Sequence, residues 1–223
     1  MVSSVLSQRL EAVRNRIRRA AERCGRNPAA ITLIAVTKKF PASVIREAYD
    51  LGLREFGENY VQEFEGKYPE VSGLAGARFH LIGHLQSNKT KKAAELFQVI
   101  QTVDSVKLAR RLDSEGKCVE VMLEVKLSEE ESKSGAAPDT LSDLISGVRA
   151  CANLRLLGLM TMPPWSDDPE QTRPYFRRLG ELAKQHGLSQ LSMGMSHDLE
   201  AAIEEGATSI RIGTALFGPR RKE

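Results

Sequence analysis

The chain has 223 residues, 41% hydrophobic and 27% charged, with 32 Lys and Arg against 29 Asp and Glu for a formal net charge of +3. This is the make-up of an ordinary globular protein with room for a full core, and so even a charge balance argues against a nucleic-acid partner. No apolar run approaches the roughly 20 residues needed to cross a bilayer. The start of the chain lacks the layout of a signal peptide, and Cys24, Cys118 and Cys151 are odd in number and too scattered for a disulfide framework or a metal cluster. A cytoplasmic protein without membrane partners is expected.

Residues 4–24 read as a helix, because Leu6, Leu10, Val13, Ile17, Ala20 and Cys24 recur at three- and four-residue steps before Gly25 and Pro28 close it. A short apolar, β-branched run, 31–36, then meets Lys38, Lys39 and Pro41, the pattern of a strand buried on both faces and ended by a turn. A helix over 42–51 follows. Strands are predicted at 53–56, 78–82, 97–102, 119–125, 154–159, 190–193 and 209–212. Between them lie helices at 61–67, 89–96, 138–151, 169–186 and 198–205, and one that Asp104 caps, with Val106, Leu108, Ala109 and Leu112 on its apolar face. Strict alternation of strand and helix predicts a parallel sheet with right-handed crossovers. The expected architecture is α/β: a single (β/α)8 TIM-type barrel over 31–218 behind an extra N-terminal helix over 4–24, in one domain spanning 1–223. An open doubly wound sheet is the alternative.

Polar and small residues gather after the strands: Lys38 and Lys39 after the first, Gly57 to Tyr60 after the second, Gly83 to Asn88 after the third. Met160 to Pro163 follow the sixth, Gly194 to Asp198 the seventh, and Gly213 to Ala215 the eighth. The carboxyl ends of the strands are where such folds place their sites. Gly194-Met195-Ser196 runs into a helix start and Gly213-Thr214 offers a second set of backbone donors, an arrangement suited to phosphate; Ser196 as a plain cap and Gly213 as a plain turn residue are the simpler reading. A lysine and a phosphate cradle on one rim suggest pyridoxal 5′-phosphate, bound as an imine by a lysine whose amine a desolvated or cationic setting activates. Side chains alternate along a strand, so Lys38 and Lys39 cannot both face inward, and spacing does not choose between them.

The segments AVTKKFP (35–41), FGENYVQE (56–63), FHLIGHLQSNK (79–89), ESKSG (131–135), GLMTMPP (158–164) and LSMGMSHDLEAAIEEGATSIRIGTALFG (191–218) together resemble the pyridoxal phosphate homeostasis protein family. The resemblance implies a barrel similar to the N-terminal domain of alanine racemase, with the Schiff base on Lys38. It implies Ser196, Gly213 and Thr214 at the phosphate, Arg211 at the pyridine nitrogen or the phosphate, and Asn59 and Met160 lining the pocket. An arginine at the ring nitrogen discourages its protonation and makes a weak electron sink. The implied role is therefore a non-catalytic carrier that holds, buffers or delivers the cofactor, with effects on amino- and keto-acid balance. Apo-enzymes that use the cofactor are expected recipients, and a monomer is expected. Lys126 departs from the family pattern, where an asparagine is common, and His197 falls at a variable position.

Other readings are an amino-acid racemase, for which Tyr60 is the one tyrosine near the rim motifs, and a phosphosugar lyase using Lys38. His80 and His84, four apart across a strand end, lack a third ligand at metal-like spacing, so no metal is expected. Met160, Met162, Met193 and Met195 read as packing residues or contacts to an aromatic ligand, Glu58 and Asn59 as acid–base candidates or a helix start. The Glu129, Glu130 and Glu131 run reads as solvated, the 128–135 loop as a candidate lid, and Arg220, Arg221 and Lys222 as a solvated tail.

Overall fold

The computed structural model describes residues 4–128 and 134–219. The acidic run at 129–131, most of the 128–135 loop and the basic tail at 220–222 lie outside them. Eight strands, β1 (Thr32–Val36), β2 (Glu55–Glu58), β3 (Arg78–Leu81), β4 (Val99–Val103), β5 (Val119–Glu124), β6 (Leu154–Met160), β7 (Gln190–Ser192) and β8 (Ser209–Ile212), pair in parallel and in chain order. The ring closes where β1 meets β8, with Leu33 opposite Ile210 and Ile34 opposite Arg211. This is the (β/α)8 barrel that the alternation predicts, and closure removes the open-sheet alternative.

Helix α1 (Val5–Arg23) precedes the barrel, capped by the Ser4 hydroxyl, which accepts from Ser7 N–H; it buries Leu6, Leu10, Val13 and Ile17. The crossovers supply α2 (Ala42–Asp50), α3 (Val61–Val71), α4 (Thr90–Leu96), α5 (Val106–Asp113), α6 (Leu141–Arg149), α7 (Arg173–Gln185), α8 (Leu199–Glu204) and a last short helix, α9 (Thr214–Phe217). Among the described residues no helix is long and apolar enough to cross a membrane.

Several boundaries differ from expectation for local reasons. Ser105, not Asp104, caps α5, since its hydroxyl accepts from Leu108 N–H. The stretches from Pro138 and Pro169 each open with a 3-10 turn before α6 and α7, because Thr140 and Thr172 turn their hydroxyls back onto the carbonyls of Ala137 and Pro169. Helix α9 carries too few residues to show a period. Outside the barrel, Phe64 of α3 packs its ring 4.7 Å from Phe79 and 4.9 Å from Phe97, so an aromatic wedge fixes α3 against β3.

Candidate functional site

A line of polar side chains runs through the barrel interior. Arg211 of β8, 3% exposed, donates to Ser192 Oγ at 2.7 Å and to the Thr161 carbonyl at 2.9 Å. Ser192 Oγ in turn donates to Gln101 Oε1 at 2.6 Å, and Gln101 Nε2 meets His80 Nδ1 at 3.0 Å. Because the Gln101 amide must donate, His80 Nδ1 accepts, and His80 carries its proton on Nε2, 2.5 Å from Glu55 Oε2. One line of donors thus crosses the barrel from Arg211 to a carboxylate at the opposite end. Burial raises the Glu55 carboxyl, but the hydrogen bond with His80 and the nearby Arg78 cation outweigh it and hold Glu55 below the usual range. Burial pulls Arg211 down to about 10, with Asp198 and Glu124 opposing, so it remains a cation at neutral pH.

Above Arg211 a cavity of ≈ 520 Å³ opens among the carboxyl ends of the strands, and Lys38, Asn59, Ser196, Arg211, Gly213 and Thr214 all line it. The turn after β1 chooses between the two lysines. Thr37 still sits in the sheet, its N–H donating to the Gly57 carbonyl. Lys39 then adopts φ 63°, a left-handed conformation costing a β-carbon-bearing residue about 1–2 kcal/mol. It lies exposed, with its N–H on Glu63 Oε1, while Lys38 turns into the cavity wall. Holding that strained turn is a buried cluster: Lys67 Nζ donates to the Thr37 carbonyl at 3.0 Å and to Glu58 Oε1 at 2.9 Å, and pairs with Glu63 at 2.6 Å. Thr37 Oγ1 also donates to Glu58. Burial outweighs these contacts and leaves the Glu58 carboxyl above its usual range.

Two glycines make room for the rim. A β-carbon on Gly83 would lie 2.2 Å from the Asn59 carbonyl oxygen, so only glycine lets the ends of β2 and β3 close on each other. Gly194, at φ +87° and with its missing β-carbon 2.5 Å from Ala202, turns the chain sharply after β7. Met195 N–H then donates to Asp198 Oδ1, and Ser196 Oγ accepts from Ala215 N–H at 3.2 Å, tying this loop to the start of α9. Ser196 is therefore no cap of α8.

Met160 does not reach the cavity. It is fully buried at the end of β6, where its carbonyl accepts from Val125 N–H, and Met162, in the loop beyond, is the lining residue instead. His80 and His84 part company: His80 is inside the barrel, while His84 is exposed with Nδ1 3.9 Å from Asp104. Sequence reasoning missed Trp165, which lines the cavity with its ring 5.0 Å from that of His197. It is the one tryptophan of the chain and follows two prolines, a signal of an ordered exposed loop. Gln101, Ser192 and Glu124 were also missed, since single polar residues in apolar strands give no period.

A (β/α)8 barrel with a lysine-bearing cavity at its carboxyl rim is a barrel of the alanine racemase type, and the family model for the alanine racemase N-terminal domain matches residues 8–221. Within that class the chain belongs to the pyridoxal phosphate homeostasis protein family. It is 48% identical to the family's protein from Pseudomonas aeruginosa, over 97% of this chain and 96% of that one. The Aquifex aeolicus relative is 43% identical over 96% and 98%. Among solved structures, PipY of Synechococcus elongatus, with PLP bound, superposes with a TM-score of 0.79 at 40% identity, covering 91% of this chain and 100% of that one.

Proposed function

We propose that this chain binds pyridoxal 5′-phosphate in the rim cavity through Lys38 and serves intracellular homeostasis of that cofactor, with effects on amino- and keto-acid balance, rather than turning over a substrate. The observation that carries the reading is the convergence of Lys38, Asn59, Ser196, Arg211, Gly213 and Thr214 from the ends of four strands on one cavity. Relatives named for the same homeostasis, and a PipY structure with PLP bound, support it.

The residues fit the group. Asn59 Oδ1 is buried without a hydrogen-bond partner among the described residues, an acceptor facing a donor-bearing ligand. Gly213 and Thr214 line the cavity where α9 begins, beside Ser196, whose hydroxyl accepts from Ala215 N–H, and backbone donors at that turn suit a phosphate. When bound, the cofactor supplies an aldehyde that a lysine amine converts to a Schiff base. Arg211, a cation held in place by Ser192 and the Thr161 carbonyl, discourages protonation of a ring nitrogen beside it, which favours holding the group over carbanion chemistry. A racemase needs a second proton-transfer group at the cofactor; Tyr60 is 53% exposed and outside the cavity lining. The role calls for an acceptor, an apo-enzyme that uses the same cofactor.

The visible spectrum of the purified protein, before and after borohydride, tests this beside Lys38→Ala. A band that borohydride fixes to Lys38, and that the variant lacks, is expected. No band in the wild type after adding the cofactor overturns the reading, and a band surviving in Lys38→Ala moves the anchor to another lysine.

A further inference from the structure

A second cavity, ≈ 550 Å³, lies against the first and shares Met162, Trp165 and Met195 with it as a common wall. Its own lining includes Glu124, Lys126 and His84, with the hydroxyls of Ser128 and Ser134. The cofactor reading uses none of these groups beyond the Glu124 charge that helps keep Arg211 a cation. Glu124 is the last residue of β5 and only 2% exposed, and its Oε2 is buried with no hydrogen-bond partner among the described residues. A buried acceptor left unmade is costly, by roughly 1–3 kcal/mol and more for a charged group. Folded proteins satisfy nearly all such atoms, so this one calls for an external partner.

The chemistry of the lining says which partner. A carboxylate buried this deeply calls for a cation with hydrogens to give. Lys126, two residues further along and half-buried, supplies the opposite charge in the same cavity. Hydroxyls and an exposed imidazole offer neutral hydrogen bonds around them. One acid and one base in a single pocket, a few residues apart, match a small zwitterion. We propose that the second cavity binds a free α-amino acid, its ammonium group received by Glu124 and its carboxylate by Lys126, beside the cofactor cavity. The inference deepens the proposed function and rests on it for its purpose, since an amine docked there stands across a shared wall from Lys38. The binding itself needs no cofactor.

Trp165 lies in the common wall and is the chain's one tryptophan, so its fluorescence reports the site directly. L-alanine, L-serine, L-glutamate and L-lysine, each titrated singly into the full-length protein freed of cofactor, test the proposal, with calorimetry as the second readout. At least one is expected to bind saturably. Glu124→Gln and Lys126→Met should each weaken that binding by at least about tenfold, as removing a charged hydrogen-bond partner does. The deaminated analogue of the bound amino acid should bind as weakly to the wild type as the amino acid does to Glu124→Gln. Circular dichroism shows whether each variant is folded, and the conservative Glu124→Asp keeps the charge if glutamine disturbs the strand. The absence of saturable binding by all four amino acids overturns the proposal, as does undiminished binding by a folded Glu124→Gln. Cofactor added to the same samples separates the two readings. A borohydride-fixed band without amino-acid binding sinks this inference alone, whereas amino-acid binding without a band sinks only the cofactor reading.

Discussion

Glu124 shows how a single residue can set a pH dependence. Burial, then the nearby Asp104 charge, push its carboxyl from an ordinary 4.5 up to about 7, with the Arg211 charge opposing. A raised pKa means that the folded state holds the proton more tightly than the unfolded chain does. Between pH 4.5 and 7 the native protein therefore binds more protons, and stability falls as pH rises through that window. The penalty is complete above pH 7 and amounts to roughly 3 kcal/mol. Glu124→Gln removes it. The variant should gain melting temperature over the wild type at pH 8, on the order of 10 °C, and lose that advantage at pH 4. Thermal melts of both proteins across that range check this, and parallel curves would refute it. A site residue that costs stability is the usual trade between fold and function.

Helix α3 is the element that prepares the lysine. Its inward face carries Val61, Phe64, Lys67 and Val71, so a cation stands on a stripe where the helical period calls for an apolar side chain. Lys67 reaches the Thr37 carbonyl and Glu58, and the aromatic wedge around Phe64 fixes the helix that delivers it. Replacing Lys67 by methionine leaves Glu58 buried and unpaired, at a cost of about 3–5 kcal/mol. The strained turn at Lys39 also loses its brace, so the cofactor binding proposed for Lys38 should fall with it. Glu58→Gln combined with Lys67→Met should restore most of the stability without restoring that binding. Denaturant melts and the visible band measure the two effects separately. None of this was legible beforehand, because a lysine ending a helical run is read as solvated when nothing shows what lies above it.

At the scale of the molecule, α1 acts as a strut from outside the barrel. Arg16 pairs with Glu200 at 2.6 Å and 2.7 Å and donates to the Ser196 carbonyl at 2.9 Å, while Arg26, in the turn after the helix, holds the carbonyls of Ile203 and Ala207. The first helix thus braces the loop expected to face phosphate, some 180 residues away in the chain. Arg16 and Glu200 are about one-third exposed, so Arg16→Ala should cost less than about 1 kcal/mol of stability. It should nevertheless speed the loss of cofactor on dialysis severalfold, because Ser196 loses its external anchor. Unchanged retention would make the contact purely structural.

The sequence by itself determined the order of strands and helices, the parallel barrel, the helix in front of it, and the glycine-bearing loops at the carboxyl rim. These rest on periodicity and turn chemistry, which act over a few residues. The resemblance pointed to Lys38, and the tertiary structure shows why: the turn after β1 faces Lys38 in and Lys39 out. Only the tertiary structure decided that Met162 rather than Met160 meets the cavity, and that Arg211, Ser192, Gln101 and His80 form one line. Ser192 and Gln101 are 91 residues apart, and barrel closure alone brings them within 2.6 Å. A polar side chain in a strand carries no mark of the partner that awaits it across the barrel.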